Sequence, residues 1–354
     1  MKIYELKEYK EDIEYIAGLD LPWEKLKNTS MLISGASGLI GSVLVDTIMH
    51  LNLTRGLNCR VLALGRNTEK ARDRFGYCWE DSNFLFISAD ITRPLIRDDL
   101  GPVEYVLHLA SNTHPVAYAT EPIGTVTTNI IGTANMLDFA AAHGARRVAF
   151  ASSNEIYGEN RGDVEKFDEN YCGYINCNTL RAGYPESKRC GEALCQAYIR
   201  QKGLDVVIPR LTRSYGPSLL MTDTKALSQF IRKAVADEDI VLKSAGTQYF
   251  SYTYAADAVS GLLTVLLLGK CGEAYNIADD ASDIQLRDLA ALIAGTCGRK
   301  VVFELPDAVE AAGFSKATKA RLDSSKLQEL GWKAGYDIKA GIERTIHMIR
   351  RLYA

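Results

Sequence analysis

Across most of this chain, short apolar runs rich in β-branched residues alternate with longer stretches whose apolar positions recur at helical spacing. Met31-Leu32-Ile33, Val61-Leu62-Ala63-Leu64, Phe84-Leu85-Phe86-Ile87, Tyr105-Val106-Leu107-His108-Leu109, Val148-Ala149-Phe150 and Val206-Val207-Ile208 are nearly continuous in apolar character. Strands of that kind, joined by helices, form a parallel sheet covered on both faces, so the predicted fold class is α/β with a doubly wound parallel sheet. After Pro209 the pattern loosens into shorter helical stretches, turns and two further strands, Ala274-Tyr275-Asn276-Ile277 and Val301-Val302-Phe303. Ahead of the first strand, Ile13, Ile16 and Ala17 recur at helical spacing and Pro22-Trp23 breaks the run. The expected organisation is a helical extension over 1–28, a sheet domain over 29–209, and a smaller, mainly substrate-binding domain over 210–354 interleaved with it. No Gly/Ser-rich linker or repeat separates them.

Composition narrows the function classes. A chain of 354 residues, 47% of them hydrophobic, can bury a large core. A net charge of -3 from 41 basic and 44 acidic residues supplies no summed basic field to draw nucleic acid or an anionic membrane. The longest apolar runs, such as 261–268, fall far short of the roughly 20 residues that cross a bilayer. The first eight residues are charged throughout with no apolar signal core, so export is not expected. Cys59, Cys78, Cys172, Cys177, Cys190, Cys195, Cys271 and Cys297 contain no Cys-x-x-Cys pair. They read as reduced thiols of a cytoplasmic protein with no metal site, with Cys190 and Leu194 on the core side of a helix.

Two motifs carry chemistry. Gly35-Ala36-Ser37-Gly38-Leu39-Ile40-Gly41 follows the first strand and opens a helix predicted over 39–49. Glycines at 35, 38 and 41 let backbone amides approach a pyrophosphate and the helix N-terminus adds its dipole, so 29–209 reads as a Rossmann domain for NAD or NADP. Arg66, and no carboxylate, follows the second strand; it can grip a 2′-phosphate or stack on an adenine, and both cofactors stay open. Asp90-Ile91 and Leu109-Ala110-Ser111 lie at the carboxyl ends of strands, where such sheets bind ligands, while His108, inside its strand, reads as structural. The second motif, Tyr184-Pro185-Glu186-Ser187-Lys188, puts a phenol and an ammonium four residues apart on one helix face. The ammonium favours the phenolate, turning an acid of pKa about 10 into a base usable near neutrality.

Together these residues give a chain that resembles the extended short-chain dehydrogenase/reductase family, in its nucleotide-sugar epimerase/dehydratase branch, from about Ser30 to the end. Three stretches are most similar to UDP-glucuronate decarboxylases. The first is His108-Leu109-Ala110-Ser111 followed by Pro115, Tyr118, Pro122-Ile123, Thr125, Thr128-Asn129, Gly132-Thr133 and Asn135-Met136-Leu137. The others are Ala151-Ser152-Ser153-Asn154-Glu155-Ile156-Tyr157-Gly158 and Arg181-Ala182-Gly183-Tyr184-Pro185-Glu186-Ser187-Lys188-Arg189. The resemblance implies that Tyr184 deprotonates the sugar 4-hydroxyl, that Ser153 hydrogen-bonds it, and that Lys188 holds the nicotinamide ribose and lowers the tyrosine pKa. It adds Asn129 to the cofactor site and Tyr118 and Arg181 to the substrate site. The oxidised nicotinamide takes the C4 hydride, leaving a 4-keto intermediate.

Glu155 points to the second step, because simple 4-epimerases usually carry a small residue there, whereas decarboxylases and 4,6-dehydratases carry a glutamate. Asn154 stands where many dehydratases place an Asp, and an amide is no general acid at neutral pH. The expected activity is therefore an NAD(P)-dependent nucleotide-sugar lyase, with UDP-glucuronate-type decarboxylation ahead of NDP-hexose 4,6-dehydration. An NDP-sugar 4-epimerase and a non-catalytic NAD(P)-binding sensor or scaffold are the alternatives. The substrate half departs from the family: Arg213 stands where Asn is usual, Ser218 where decarboxylases have Arg, and Phe250 where a phosphate-binding Arg is common, while Lys225 can replace another arginine. Leu322 to Trp332 matches the family's closing helix. The resemblance also implies a homodimer through helices over 123–143 and 187–201, the second with a stripe of Cys190, Leu194, Ala197 and Tyr198.

Overall fold

The computed structural model describes residues 1–113, 118, 120–221, 223–304 and 318–353; Pro115 of the resemblance lies outside the described residues. Strands β1 (Ser30–Ser34), β2 (Arg60–Gly65), β3 (Phe84–Ser88), β4 (Tyr105–His108), β5 (Arg147–Phe150), β6 (Ser152–Ser153) and β7 (Val206–Leu211) precede β8 (Arg213–Tyr215), β9 (Ile240–Leu242), β10 (Tyr249–Tyr254), β11 (Ala274–Ile277), β12 (Asp283–Gln285), β13 (Val301–Phe303) and β14 (Lys319–Ala320). The helices are α1 (Lys7–Ala17), α2 (Leu39–Arg55), α3 (Thr68–Phe75), α4 (Pro122–Ala142), α5 (Gly183–Lys202), α6 (Ala226–Val235), α7 (Ala255–Leu268), α8 (Leu286–Thr296), α9 (Ser325–Gln328) and α10 (Ile338–Tyr353).

The large sheet runs β3-β2-β1-β4-β5-β7-β11, with β6 also on β7, and its pairings are parallel. All six strands expected up to residue 208 are present, and the doubly wound sheet is the observed architecture. Strand order reverses between β1 and β4, where Ser34 pairs with His108, and this is the position at which such a sheet opens a crevice at its carboxyl edge. Strand β11, which comes from beyond residue 210, lies at the sheet's edge beside β7. The remaining strands make small sheets: β10 pairs antiparallel with β12 and parallel with β14 and β8, and β9 pairs with β13. The alternating aromatic and hydroxyl run of β10, a strand the loosened pattern did not reveal, carries Phe250 towards β8 and its Arg213.

Residues 1–28 are bolted to the body through buried carboxylates. Asp46 on α2 accepts from Tyr9 at 2.5 Å, Tyr77 at 2.6 Å and Arg74; Asp12 on α1 accepts from Arg344 at 2.8 Å and from Tyr254. Asp257 on α7 accepts from Tyr15 at 2.8 Å and from the amides of Gly335 and Tyr336 at 2.7 and 3.1 Å. On α5 the core side is Cys195, with no exposure, together with Gly191 and Ser187. Cys190 and Leu194 are only half-buried, because the helix turns their positions towards its flank. No described helix is long and apolar enough to cross a membrane.

Candidate active site

The glycine turn closes the crevice on one side. Gly35 has φ +72°, and a Cβ there would stand 2.9 Å from Ala110 Cα, so the end of β4 approaches only because the side chain is missing. A Cβ on Gly41 would meet the Gly35 carbonyl at 2.3 Å, which fixes how closely α2 follows its own turn. Gly38 caps α2 without a side chain, leaving the amides of Leu39, Ile40 and Gly41 free of intrahelical partners. Ser37 stands beside Gly65 at the end of β2. Such a cradle fits the phosphates of a dinucleotide. Arg66 and Asp90 lie at its exposed rim; hydrogen bonds from Thr92, then the Arg66 charge, hold the Asp90 carboxyl below its ordinary value. Ile91 packs against Gly132 of α4, where a Cβ would meet it at 2.6 Å.

The end of β4 is fixed by hydrogen bonds. Ser34 Oγ accepts from the amides of Leu109 and Ala110 at 3.2 Å each and faces His108 Nδ1 at 2.8 Å, while His108 Nε2 faces Thr133 at 3.2 Å. Burial, then the Lys188 charge, pushes His108 down to about 3, so it is a neutral structural residue, as its place inside a strand implied. Ser111 donates to Asn129 Oδ1 at 2.7 Å, Asn129 Nδ2 donates to Ser187 at 2.8 Å, and Ser187 donates to the carbonyl of Tyr184 at 2.9 Å. This chain of contacts ties the cofactor side to the helix that carries the tyrosine. Ser34 was not singled out from the sequence, and Thr133 and Ser187 stood within the quoted motifs without a role of their own; the signal for Ser187 is its place on the same helix turn as Tyr184.

Tyr184 and Lys188 both lie in α5, one turn apart and buried, with Pro185 tolerated in the first turn. Lys188 Nζ donates to the Ala151 carbonyl at 2.7 Å, and burial pushes the ammonium down to about 8. The phenol of Tyr184 differs from the expectation: burial and the Glu155 carboxylate push it up, while hydrogen bonding to Ser153 and Ser111 and the Arg181 charge pull the other way. The lysine's charge is engaged at Ala151 and does not outweigh that burial.

Around the phenol stand the remaining site residues. Tyr118 stacks on Tyr184 with ring centres 4.9 Å apart, and the Arg181 guanidinium lies 4.9 Å over Tyr118. Arg181 Nη2 donates to Glu155 at 2.7 Å, and the Ser153 hydroxyl accepts from the Glu155 amide at 3.2 Å. Asn154, between them in sequence, is buried. Arg213 lies face-on over Phe250 at 3.6 Å, and burial pulls its pKa below the ordinary value. Lys225 is placed further out, within 3.4 Å of Asp223 and Thr113, and Ser218 donates to the Leu39 carbonyl at 3.1 Å, on the cofactor side.

A doubly wound sheet with this glycine turn and with tyrosine and lysine one turn apart on a helix defines the extended short-chain dehydrogenase/reductase class. The model of the NAD dependent epimerase/dehydratase family matches residues 31–278, and the chain belongs to that family. Curated relatives include UDP-glucuronic acid decarboxylase 1 of Xenopus tropicalis, 32% identical over 324 residues, which are 91% of this chain and 72% of the relative. UDP-glucuronic acid decarboxylase 5 of Arabidopsis thaliana is 31% identical over 319 residues, 89% of this chain and 87% of the relative. Among solved structures, DesIV, the dTDP-glucose 4,6-dehydratase of Streptomyces venezuelae with NAD and TYD bound, has a TM-score of 0.80 at 24% identity, covering 91% of this chain and 97% of its own. The UDP-glucuronic acid 4-epimerase of Bacillus cereus, with UDP-glucuronic acid and NAD, has a TM-score of 0.79 at 21% identity over 92% and 100%. At such identities these two structures establish the fold.

Proposed function

We propose that this protein is a nicotinamide-dependent lyase of nucleotide sugars and that its reaction is decarboxylation of UDP-glucuronate through a 4-keto intermediate. The observation that carries this reading is the grouping of Tyr184, Ser153 and the Arg181-held Glu155, with neutral Asn154 where a dehydratase would place its acid. The glycine turn, Ile91, Leu109 to Ser111, Asn129 and Lys188 are the cofactor's side of the site. A nicotinamide bound there supplies reversible hydride acceptance at C4 of the sugar. Tyr184, as the phenolate that the Ser153 and Ser111 hydrogen bonds and the Arg181 charge favour against burial and Glu155, takes the proton of the 4-hydroxyl and returns it at the end.

Once C4 is a ketone, the C6 carboxylate belongs to a β-keto acid. The C5–C6 bond breaks, its electron pair passes into the C4–C5 enolate, and carbon dioxide leaves. Glu155, on the same side of the site, relays a proton to C5. Names of relatives that are UDP-glucuronic acid decarboxylases support this outcome over dehydration. Arg66 at the rim supports NADP, the related structures solved with NAD support NAD, and a titration with each dinucleotide separates them.

The half-buried flank of α5 and the exposed Ile123 and Ile131 of α4 support a homodimer through these two helices. The eight free thiols support a reducing, cytoplasmic setting. A division at about residues 28 and 209 is the domain reading that the change from large to small sheets supports. The function is tested by incubating the protein with UDP-glucuronate, dTDP-glucose and CDP-glucose: a UDP-pentose from the first alone is expected. Glu155→Gln should then lower pentose formation by about 100-fold; an epimerase would keep its activity, since epimerisation needs no acid or base at C5.

A further inference from the structure

Two guanidiniums meet one carboxylate beside the reacting tyrosine. Arg181 gives Nη2 to Glu155 and leaves Nε and Nη1 buried with no hydrogen-bond partner among the described residues. Arg213, stacked on Phe250, leaves Nη1 in the same condition. Glu155 and Arg181 are both near enough to act on the charge of Arg213. Among the described residues Glu155 is the carboxylate that acts on Arg213, and it is already hydrogen-bonded to Arg181. Buried N–H groups of a cation without acceptors are costly, so the arrangement calls for an anion.

We propose that Arg213, seconded by Arg181, recognises a carboxylate on the substrate's sugar, so that the site selects uronic-acid nucleotide sugars over neutral hexose ones. The proposal rests on the nucleotide-sugar reading above and assigns the specificity residue within it. Such a substrate carries a second anion, the diphosphate, and the chemistry of the ring separates the two. In a pyranose, C5, which bears the carboxylate, is bonded to C4, whose hydroxyl faces Tyr184 and Ser153; the diphosphate is attached at C1, across the ring. Glu155 and Arg181 act on the Tyr184 phenol as well as on Arg213, so the cluster belongs to the C4–C5 end. Stacking on Phe250 occupies one face of the guanidinium and leaves Nη1, on the edge by which guanidiniums take carboxylates, without a partner among the described residues.

Titration calorimetry of the NAD-loaded protein with UDP-glucuronate, UDP-glucose and UDP tests this. Wild type should bind UDP-glucuronate about tenfold or more tighter than UDP-glucose. Arg213→Leu should weaken UDP-glucuronate by about 10- to 100-fold and the other two by less than about threefold. Phe250→Leu, which keeps the charge and removes the stack, should weaken UDP-glucuronate alone by about threefold to fivefold, and it carries the test if Arg213→Leu does not fold. Equal losses for all three ligands would assign Arg213 to the diphosphate and overturn the proposal, as would no loss at all. Failure of wild type to bind any of the three would overturn the nucleotide-sugar reading and the proposal with it. An Arg213-dependent preference for the uronate in a protein that forms no pentose would sustain the proposal while sinking decarboxylation.

Discussion

Buried charge is handled in opposite ways at the N-terminal clamp and at the substrate end. In the clamp, both oxygens of Asp12, Asp46 and Asp257 accept hydrogen bonds, from Arg344 and Tyr254, from Arg74, Tyr9 and Tyr77, and from Tyr15 and two backbone amides. Around Tyr184, by contrast, Arg181 and Arg213 keep buried N–H groups without partners among the described residues, and Lys188 is buried against a single carbonyl. The three carboxylates of the clamp are saturated by the chain itself, although Arg74 Nε is buried there without a partner among the described residues. At the substrate end the open N–H groups belong to two guanidiniums beside Glu155, and on the proposal above a ligand carboxylate supplies their missing partner, at a cost in stability that the rest of the fold offsets.

The contrast can be broken from either side. Tyr184→Phe removes the proton acceptor but little of the packing, and turnover of UDP-glucuronate should fall about 1000-fold or more while the melting temperature stays within a few degrees; a collapse of the fold would mean the phenol is part of the scaffold. Asp12→Ala should do the reverse. It leaves Arg344 without its main carboxylate and should cost about 3–5 kcal/mol in urea unfolding, with the affinity for UDP-glucuronate unchanged.

Lys188 lies between the two cases. Its pKa falls to about 8 in the folded protein from an ordinary 10.5, so its charged form is disfavoured by folding. By linkage, stability is greatest above the unfolded value and is lost as pH falls through about 8. Wild type without ligand should therefore gain up to about 3 kcal/mol between pH 8 and 10.5, and Lys188→Met should lack that rise while losing about 100-fold in turnover. A parallel pH profile in the two proteins would show that the ammonium is not strained.

Much of this arrangement was legible in the sequence because its determinants are local. The continuous apolar runs name the strands, and Gly35, Gly38 and Gly41 stand within seven residues of each other, as do Tyr184 and Lys188. The clamp was not legible, since Tyr254 meets Asp12 across 242 positions and Arg344 meets it across 332. Arg213 over Phe250 was visible only as two departures from the family pattern; that one stacks on the other depends on the parallel pairing of β8 with β10. The rise of the Tyr184 pKa was hidden for a related reason. Helical spacing shows that the lysine is near, whereas burial and the charge of Glu155 come from the surrounding fold.

The most direct test follows the fate of the sugar's C6 carbon. With UDP-glucuronate labelled with ¹³C at C6, NMR of the reaction should show the label leaving as carbon dioxide and bicarbonate, in equal amount to an unlabelled UDP-pentose, and Glu155→Gln should suppress both signals together. Retention of the label in a UDP-hexuronate of altered C4 configuration would contradict the account and make the protein an epimerase.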